Sequence, residues 1–151
     1  MLQTQTSNNE LKIAENQDIS GIFRLWKMMY NENIERTGLL LDEDRLIHNI
    51  KSLVDNESCV IMTINGRQVG FLAWVVNQSI YSQQDLIAHE VGWYIEPDYR
   101  HSGYGIKMIE YFEEIVKQLG ARYAVIARSL TYKKLRRGYR DLEIHYLKEV
   151  S

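Results

Sequence analysis

Apolar residues at Ile19, Ile22, Phe23, Trp26, Met29 and Tyr30 recur at steps of three and four, which puts them on one face of a helix beginning near Asn16 or Asp18. Ahead of it, Leu11 to Ala14 reads as a short strand and residues 1–10 as a flexible tail. A second helix is predicted from Asp42, whose side chain suits an N-cap. Glu43 and Asp44 then sit at the positive end of the helix dipole, and Leu46, Ile47, Ile50, Leu53 and Val54 form an apolar face. The period then changes. Cys59 to Ile64 and Gln68 to Val76 have strand character, and Asn65-Gly66 between them favours the positive φ angles of a type I′ hairpin turn. A polar loop from Asn77 to Asp85 leads to a further strand, Ala88 to Ile95, which Pro97 ends because it has no N–H to give a ladder.

Helical spacing returns at Met108, Ile109, Phe112, Ile115, Val116 and Leu119, and Gly120 supplies the left-handed residue that closes a helix. Tyr123 to Ala127 reads as a short buried strand, Leu130 to Arg137 as a short basic helix and Glu143 to Val150 as a last strand. The order β-α-α-β-β-β-α-β-α-β describes an α+β domain with a mostly antiparallel mixed sheet flanked by helices.

Composition narrows the class. A chain of 151 residues with 45% hydrophobic positions has the size and core of one domain, here residues 11–151, and no repeat or Gly/Ser/Pro linker divides it. The polar opening Met1 to Asn9 and the shortness of the longest apolar stretch, Val69 to Val76, predict a soluble, cytoplasmic protein. Cys59 is the single cysteine, which excludes an intrachain disulfide and a thiolate-cluster metal site; within Cys59-Val60-Ile61-Met62 it reads as a buried, inert thiol. The net charge of −2 hides a division: residues 1–97 carry 7 Lys/Arg against 13 Asp/Glu, and residues 98–151 carry 11 against 7. A C-terminal part that meets an anion and an N-terminal part that meets a cation would explain it.

The segment from Glu90 to Gly105 runs a strand into a Pro-containing loop, then Arg100-His101-Ser102-Gly103-Tyr104-Gly105, then a helix from Ile106 to Leu119. A helix start presents unpaired N–H groups and the positive end of a dipole, and glycines let backbone approach a bulky phosphate. The succession resembles the signature of the GNAT superfamily of acyl-CoA N-acyltransferases, Arg/Gln-x-x-Gly-x-Gly/Ala between a strand and a helix, with Arg100, Gly103 and Gly105 in the matching places. Gly138-Tyr139 resembles the family's Gly-Phe. Together with the basic helix and Glu143-Ile144-His145-Tyr146 it is similar to short stand-alone members, including some encoded by bacteriophages.

The resemblance implies acetyl-CoA as cosubstrate without a metal, and places the pyrophosphate of coenzyme A on Arg100, His101, Ser102, Gly103, Tyr104, Gly105 and Ile106. It puts the backbone around Tyr94 and Ile95 against the pantetheine arm and the acyl carbonyl. Glu90 lies where several members keep a general base. A carboxylate among Val91, Gly92, Trp93, Tyr94 and Ile95 would be partly desolvated and its pKa raised; the other reading is a solvent-facing strand end. His89, its neighbour, should point to the opposite face. The family's acid, a tyrosine four residues before the Gly-Phe glycine, is replaced by Lys134; Tyr132 is the nearest substitute, at a rotation of about 200° on an ideal helix. A thiol of pKa about 8.5 can also depart without a strong acid.

The implied activity is acetyl transfer to a primary amine by direct transfer in a ternary complex. The alternatives are a non-catalytic acyl-CoA sensor or interaction module, and a modifier of a protein lysine, an N-terminus or a nucleobase amine. The acceptor is a small molecule or a protein, drawn as a cation to Glu32, Glu35, Asp42, Glu43 and Asp44. Lys133, Lys134, Arg136 and Arg137 lack interleaved aromatics in a chain of negative net charge, so nucleic acid ranks last as a partner. A homodimer is compatible with the sequence, which fixes no oligomeric state.

Overall fold

A computed structural model of the chain describes residues 9–127, 138–142 and 147–150. One five-stranded sheet runs in chain order through β1 (Asn9–Ile13), β2 (Cys59–Ile64), β3 (Arg67–Gln78), β4 (Leu86–Ile95) and β5 (Ala121–Val125). The first four strands are antiparallel and β5 lies parallel to β4. That parallel step requires a crossover, supplied by α3 (Tyr104–Gln118). The helices α1 (Ile19–Met29) and α2 (Glu43–Asp55) cover the other face.

Alternation along the strands sorts the core into two layers. Val60, Met62, Leu72, Trp74 and Ala88 pack with Met108, Ile109, Phe112 and Val116 of α3. Cys59, Ile61, Phe71, Ala73 and Tyr94 pack with Ile22 and Leu25 of α1 and Ile50 and Val54 of α2. Trp74 is fully buried and meets Phe112 at 5.2 Å between ring centroids, while Trp26 stacks on Phe71 at 4.7 Å. Gly92 makes that stack possible, because a Cβ there would stand 2.8 Å from Trp26 and 2.9 Å from Phe71.

Several expected boundaries hold for the expected reason. Asp42 caps α2 by accepting the Arg45 N–H at 3.0 Å, and Asn65 and Gly66 take φ of 50° and 80° at the hairpin turn. Others move. β1 begins at Asn9, inside the expected tail, because Asn9 and Glu10 pair with Ile64 and Thr63. The β3–β4 hairpin continues through Asn77↔Ile87 and Gln78↔Leu86, beyond the apolar run and into the expected loop. β5 starts at Ala121 rather than Tyr123, since Gly120, at φ 88°, turns the chain straight from α3 into the ladder opposite Leu86. A π-helical turn, Tyr30–Ile34, prolongs α1, and no periodicity announced it. The expected helix Leu130 to Arg137 lies outside the described residues, as do residues 143–146 of the expected last strand, and Leu147 to Val150 carries no strand.

One irregularity matters for the site. Ala73 pairs with Gly92 but the next residue, Trp74, pairs with Glu90, so Val91 is an extra residue on β4. Unbroken alternation would place Glu90 on the face of Gly92 and Tyr94. The bulge places it instead opposite Trp74, on the α3 side with Trp93, and it bends the strand there.

Candidate active site

The β4–β5 ladder runs Leu86↔Ala121, Ile87↔Tyr123, Ala88↔Ala124 and His89↔Val125 and stops, while β4 continues to Ile95. From Glu90 onward that edge of β4 has no ladder partner among the described residues. The Glu96 N–H donates to Val69 O at 2.9 Å, so by the two-residue alternation the Tyr94 backbone also faces β3, and Trp93 and Ile95 turn their N–H and C=O groups to the open edge. Of the two expected backbone positions, Tyr94 thus faces β3 and Ile95 the open edge, where Trp93 joins it. An open edge of this kind is a template for an extended, amide-bearing ligand.

Glu90 stands where the strands part. Its half-buried carboxylate accepts the Ala127 N–H at 3.0 Å across the gap. Loss of solvent raises its pKa, and the Ala127 hydrogen bond restrains the rise, giving a value of about 7. The desolvation expected from the sequence is present. His89 pairs with Val75 on the opposite face, as alternation requires.

The strand's far end leads into the glycine loop. Gly103 caps α3 at φ 82°, ψ −1°, and Lys107 makes the first helical hydrogen bond, to Gly103 O at 3.2 Å. The N–H groups of Tyr104, Gly105 and Ile106 therefore lack intrahelical acceptors, and no acidic side chain occupies the first turn. A Cβ on Gly103 would meet nothing within 4 Å, so the positive φ is what calls for glycine. His101 also has a positive φ, 67°, a conformation costly for a residue with a Cβ. Ser102 secures the turn by donating its hydroxyl to Tyr99 O at 2.6 Å. Gly105 differs from the expectation: its Cβ direction faces the sheet, 3.3 Å from Trp93 and 3.4 Å from Ile95, so its small size lets α3 lie close on β4.

Arg100 turns its side chain away from the start of α3. Its Nε donates to Ile95 O at 2.8 Å, and its two Nη groups meet both oxygens of Glu32 at 2.8 and 2.9 Å. Glu32 Oε2 also accepts the Tyr94 hydroxyl at 2.8 Å, and the guanidinium lies 5.1 Å from the Tyr94 ring centroid. The Glu32 carboxylate was visible in the sequence, but nothing there paired it with Arg100 across 68 positions. The base of the loop has a second anchor in Glu96, which is buried and takes Arg24 Nη1 at 2.7 Å and Arg67 Nη2 at 2.9 Å. Burial alone would raise the Glu96 carboxyl; hydrogen bonds from Arg67 and Arg24 outweigh it and hold the pKa below the ordinary carboxylate value.

Tyr132 and Lys134 lie outside the described residues. Tyr139 packs against the α3-side core with its hydroxyl buried, and burial, then the neighbouring Glu113 carboxylate, raise its pKa, so it stays protonated near neutrality. Of the acidic residues expected to draw a cation, Glu32 is paired with Arg100, Glu43 with Lys27 at 2.6 Å, and Asp42 caps α2. Glu35 and Asp44 are exposed. Among the described residues no three His, Cys, Asp or Glu side chains converge as a metal site, and no helix is long and apolar enough to cross a membrane.

Solved structures share this architecture. A possible acetyltransferase from Clostridium difficile 630 superposes with a TM-score of 0.66 at 17% identity, covering 91% of this chain and 99% of that one. The aminoglycoside N-acetyltransferase AAC(6')-Iy, solved with CoA, does so with a TM-score of 0.69 at 12% identity, over 96% and 97%. An aminoglycoside acetyltransferase from an uncultured soil metagenomic sample, solved with sisomicin, gives 0.63 at 12% identity, over 89% and 97%. Among curated proteins no relative matches the sequence. The profile of the Acetyltransferase (GNAT) family matches residues 20–140, a span that takes in α1, the bulged strand, the glycine loop and Gly138-Tyr139, and the chain belongs to that family.

Proposed function

We propose that the protein moves an acetyl group from acetyl-CoA to a primary amine by direct transfer within a ternary complex. The observation that carries this reading is the continuity of β4, which joins a carboxylate of pKa about 7 at one end of an open strand edge to an anion-seeking helix start at the other. The backbone from His101 to Ile106 suits the pyrophosphate: helix geometry leaves the N–H groups of Tyr104, Gly105 and Ile106 without intrahelical acceptors, and the space beside Gly103 is open. Trp93 offers its N–H and C=O and Ile95 its N–H to the pantetheine arm, the Ile95 carbonyl being held by Arg100, and one of these N–H groups can polarise the acyl carbonyl as charge develops on it. Glu90 takes the amine's proton, directly or through water, a task for which a pKa near the working pH is suited. Tyr132 remains the candidate proton donor to the departing thiolate.

A cationic acceptor is the finer reading. Aminoglycosides, the acceptors named for two of the similar structures, are polycations, and residues 1–97 carry the chain's acidic excess. The pairing of Glu32 and Glu43 reduces the charge available for this, so the reading rests on Glu35 and Asp44 with the wider field.

Thiol release from acetyl-CoA, followed with cationic, neutral and anionic amines at two ionic strengths, tests both levels. Release with at least one primary amine is expected, with kcat/KM for cationic acceptors falling as salt rises. Acetyl-CoA should also raise the melting temperature, since a ligand at a hundredfold excess over Kd stabilises the fold by about 2.7 kcal/mol. A chain that shows neither binding nor thiol release is no acetyltransferase, and one that binds without release with any amine is a sensor.

A further inference from the structure

We infer that Glu32 is a positioning residue for the coenzyme loop, and that its pair with Arg100 couples occupancy of that loop to the order of the connection between α1 and α2. The inference rests on reading the start of α3 as the phosphate site.

Three observations carry it. The first is where Arg100 points. It belongs to the loop by sequence, yet its guanidinium lies over Tyr94, which faces α1 and α2, while α3 covers the opposite face. The side chain therefore acts on the loop through the backbone, by holding Ile95 O with Nε and so fixing the path from the end of β4 towards Gly103. The second is the geometry of its partner. Both Glu32 oxygens receive the two Nη groups as a fork, and the Tyr94 hydroxyl adds a third donor, an arrangement that fixes orientation as well as proximity. Arg100 and Glu32 side chains are only 18% and 33% exposed, so solvent screens the pair incompletely.

The third is where Glu32 sits. It occupies the π-helical turn Tyr30–Ile34, a departure from regular helix at the end of α1, and from there its carboxylate reaches Arg100. The same turn is tied to the α1–α2 connection, because the Tyr30 hydroxyl donates to Leu39 O at 2.6 Å. Leu39 and Leu40 beyond it are exposed and have little core contact to hold them. Whatever fixes Arg100 thus fixes this connection, and linkage makes the effect reciprocal: a coenzyme that favours the folded loop also favours an ordered connection.

The experiment compares wild type with Glu32→Gln, Arg100→Lys and the double variant, measuring CoA affinity by calorimetry well below each melting temperature and amide exchange over residues 30–41 with and without CoA. Each single change should weaken CoA binding about tenfold, with the double variant no worse than the weaker single, the non-additivity of two groups acting as one unit. CoA should slow exchange over residues 30–41 in wild type and leave it unchanged in Glu32→Gln. If Glu32→Gln does not fold, Tyr94→Phe, which removes one of the three donors, should give a smaller loss in the same direction. Melting temperatures that fall while CoA affinity stays constant would make the pair purely structural and overturn the inference. Tighter CoA binding in Glu32→Gln would also overturn it, since the carboxylate would then be withholding Arg100. A wild-type chain that does not bind CoA overturns the phosphate-site reading, and the coupling with it.

Discussion

Glu90 accepts the Ala127 N–H at 3.0 Å just beyond the last rung between β4 and β5, so a single carboxylate spans the gap where the two strands separate. Its pKa is raised by desolvation to about 7, against an ordinary value of 4.5. A base of that pKa gives kcat/KM an ascending limb centred near pH 7, and Glu90→Gln should abolish the limb and lower turnover about 10²-fold while sparing CoA affinity. An unchanged pH profile would remove Glu90 from the chemistry.

The same shift affects stability with a definite sign. The folded chain holds the Glu90 proton more tightly than the unfolded chain, so this group's contribution is full below about pH 4.5 and is lost as pH rises through about 7. Glu90→Gln should therefore gain stability relative to wild type between pH 5 and pH 8 in urea titrations. A difference that does not vary with pH would mean the carboxyl titrates normally.

Gly103 and Gly105 should respond differently to substitution although both match one motif. Gly103→Ala places a Cβ in open space at φ 82°, a backbone cost of about 1–2 kcal/mol, and should distort the turn proposed for the phosphate and weaken CoA binding. Gly105→Val forces side-chain atoms into Trp93 and Ile95 and should cost about 1–3 kcal/mol of stability by overpacking. Equal losses of stability in the two variants would contradict this division.

Glu96 makes the loop's anchor sensitive to acid. Its carboxyl is held below the ordinary value by Arg67 and Arg24, so the stability it provides is present above about pH 4.5 and is lost as pH falls through the folded-state value. Arg24→Met removes hydrogen bonds to both Glu96 and Gln68 O and should cost about 1.5–3 kcal/mol at neutral pH, the range for bonds to a charged group. The cost should shrink in acid. A penalty that is constant from pH 7 to pH 3 would show that the ion pair contributes nothing.

Cys59 should be silent towards thiol reagents in the folded protein. It is 1% exposed and burial pushes its pKa up to about 12, so almost no thiolate exists near neutrality. Modification should appear only with unfolding in denaturant, and labelling at native conditions would indicate local opening of β2.

Much of this architecture was legible from residue spacing. The α1 and α2 faces, the Asn65-Gly66 turn and the closing Gly120 are each decided by interactions within a few residues, so local pattern suffices to find them. The glycine loop was legible as a motif, because the physics of a helix start is also local. The bulge at Val91 was not, since it depends on how Trp74 meets its partner across the sheet. Nor was the role of Arg100 in holding Ile95 O and Glu32, because pattern within the loop says nothing of a carboxylate on α1's extension. The crowding of Gly105 against Trp93 and Ile95 was hidden in the same way, because only the packed structure shows which side of the glycine meets the sheet.

The parting of β4 and β5 coincides with a mismatch in length. Between the pairs Ala73↔Gly92 and Trp74↔Glu90, β4 contains one residue more than β3, and the surplus, Val91, stands 44% exposed at the point where β5 falls away. A chain lacking Val91 would let β4 match β3 residue for residue with Glu90 still opposite Trp74. It would also lack the local bend that favours separation from β5, leaving Trp93 and Ile95 able to find partners within the protein. Such a chain should keep its melting temperature and lose its affinity for CoA, a pair of readings that would show the opening to be the product of a single residue in excess.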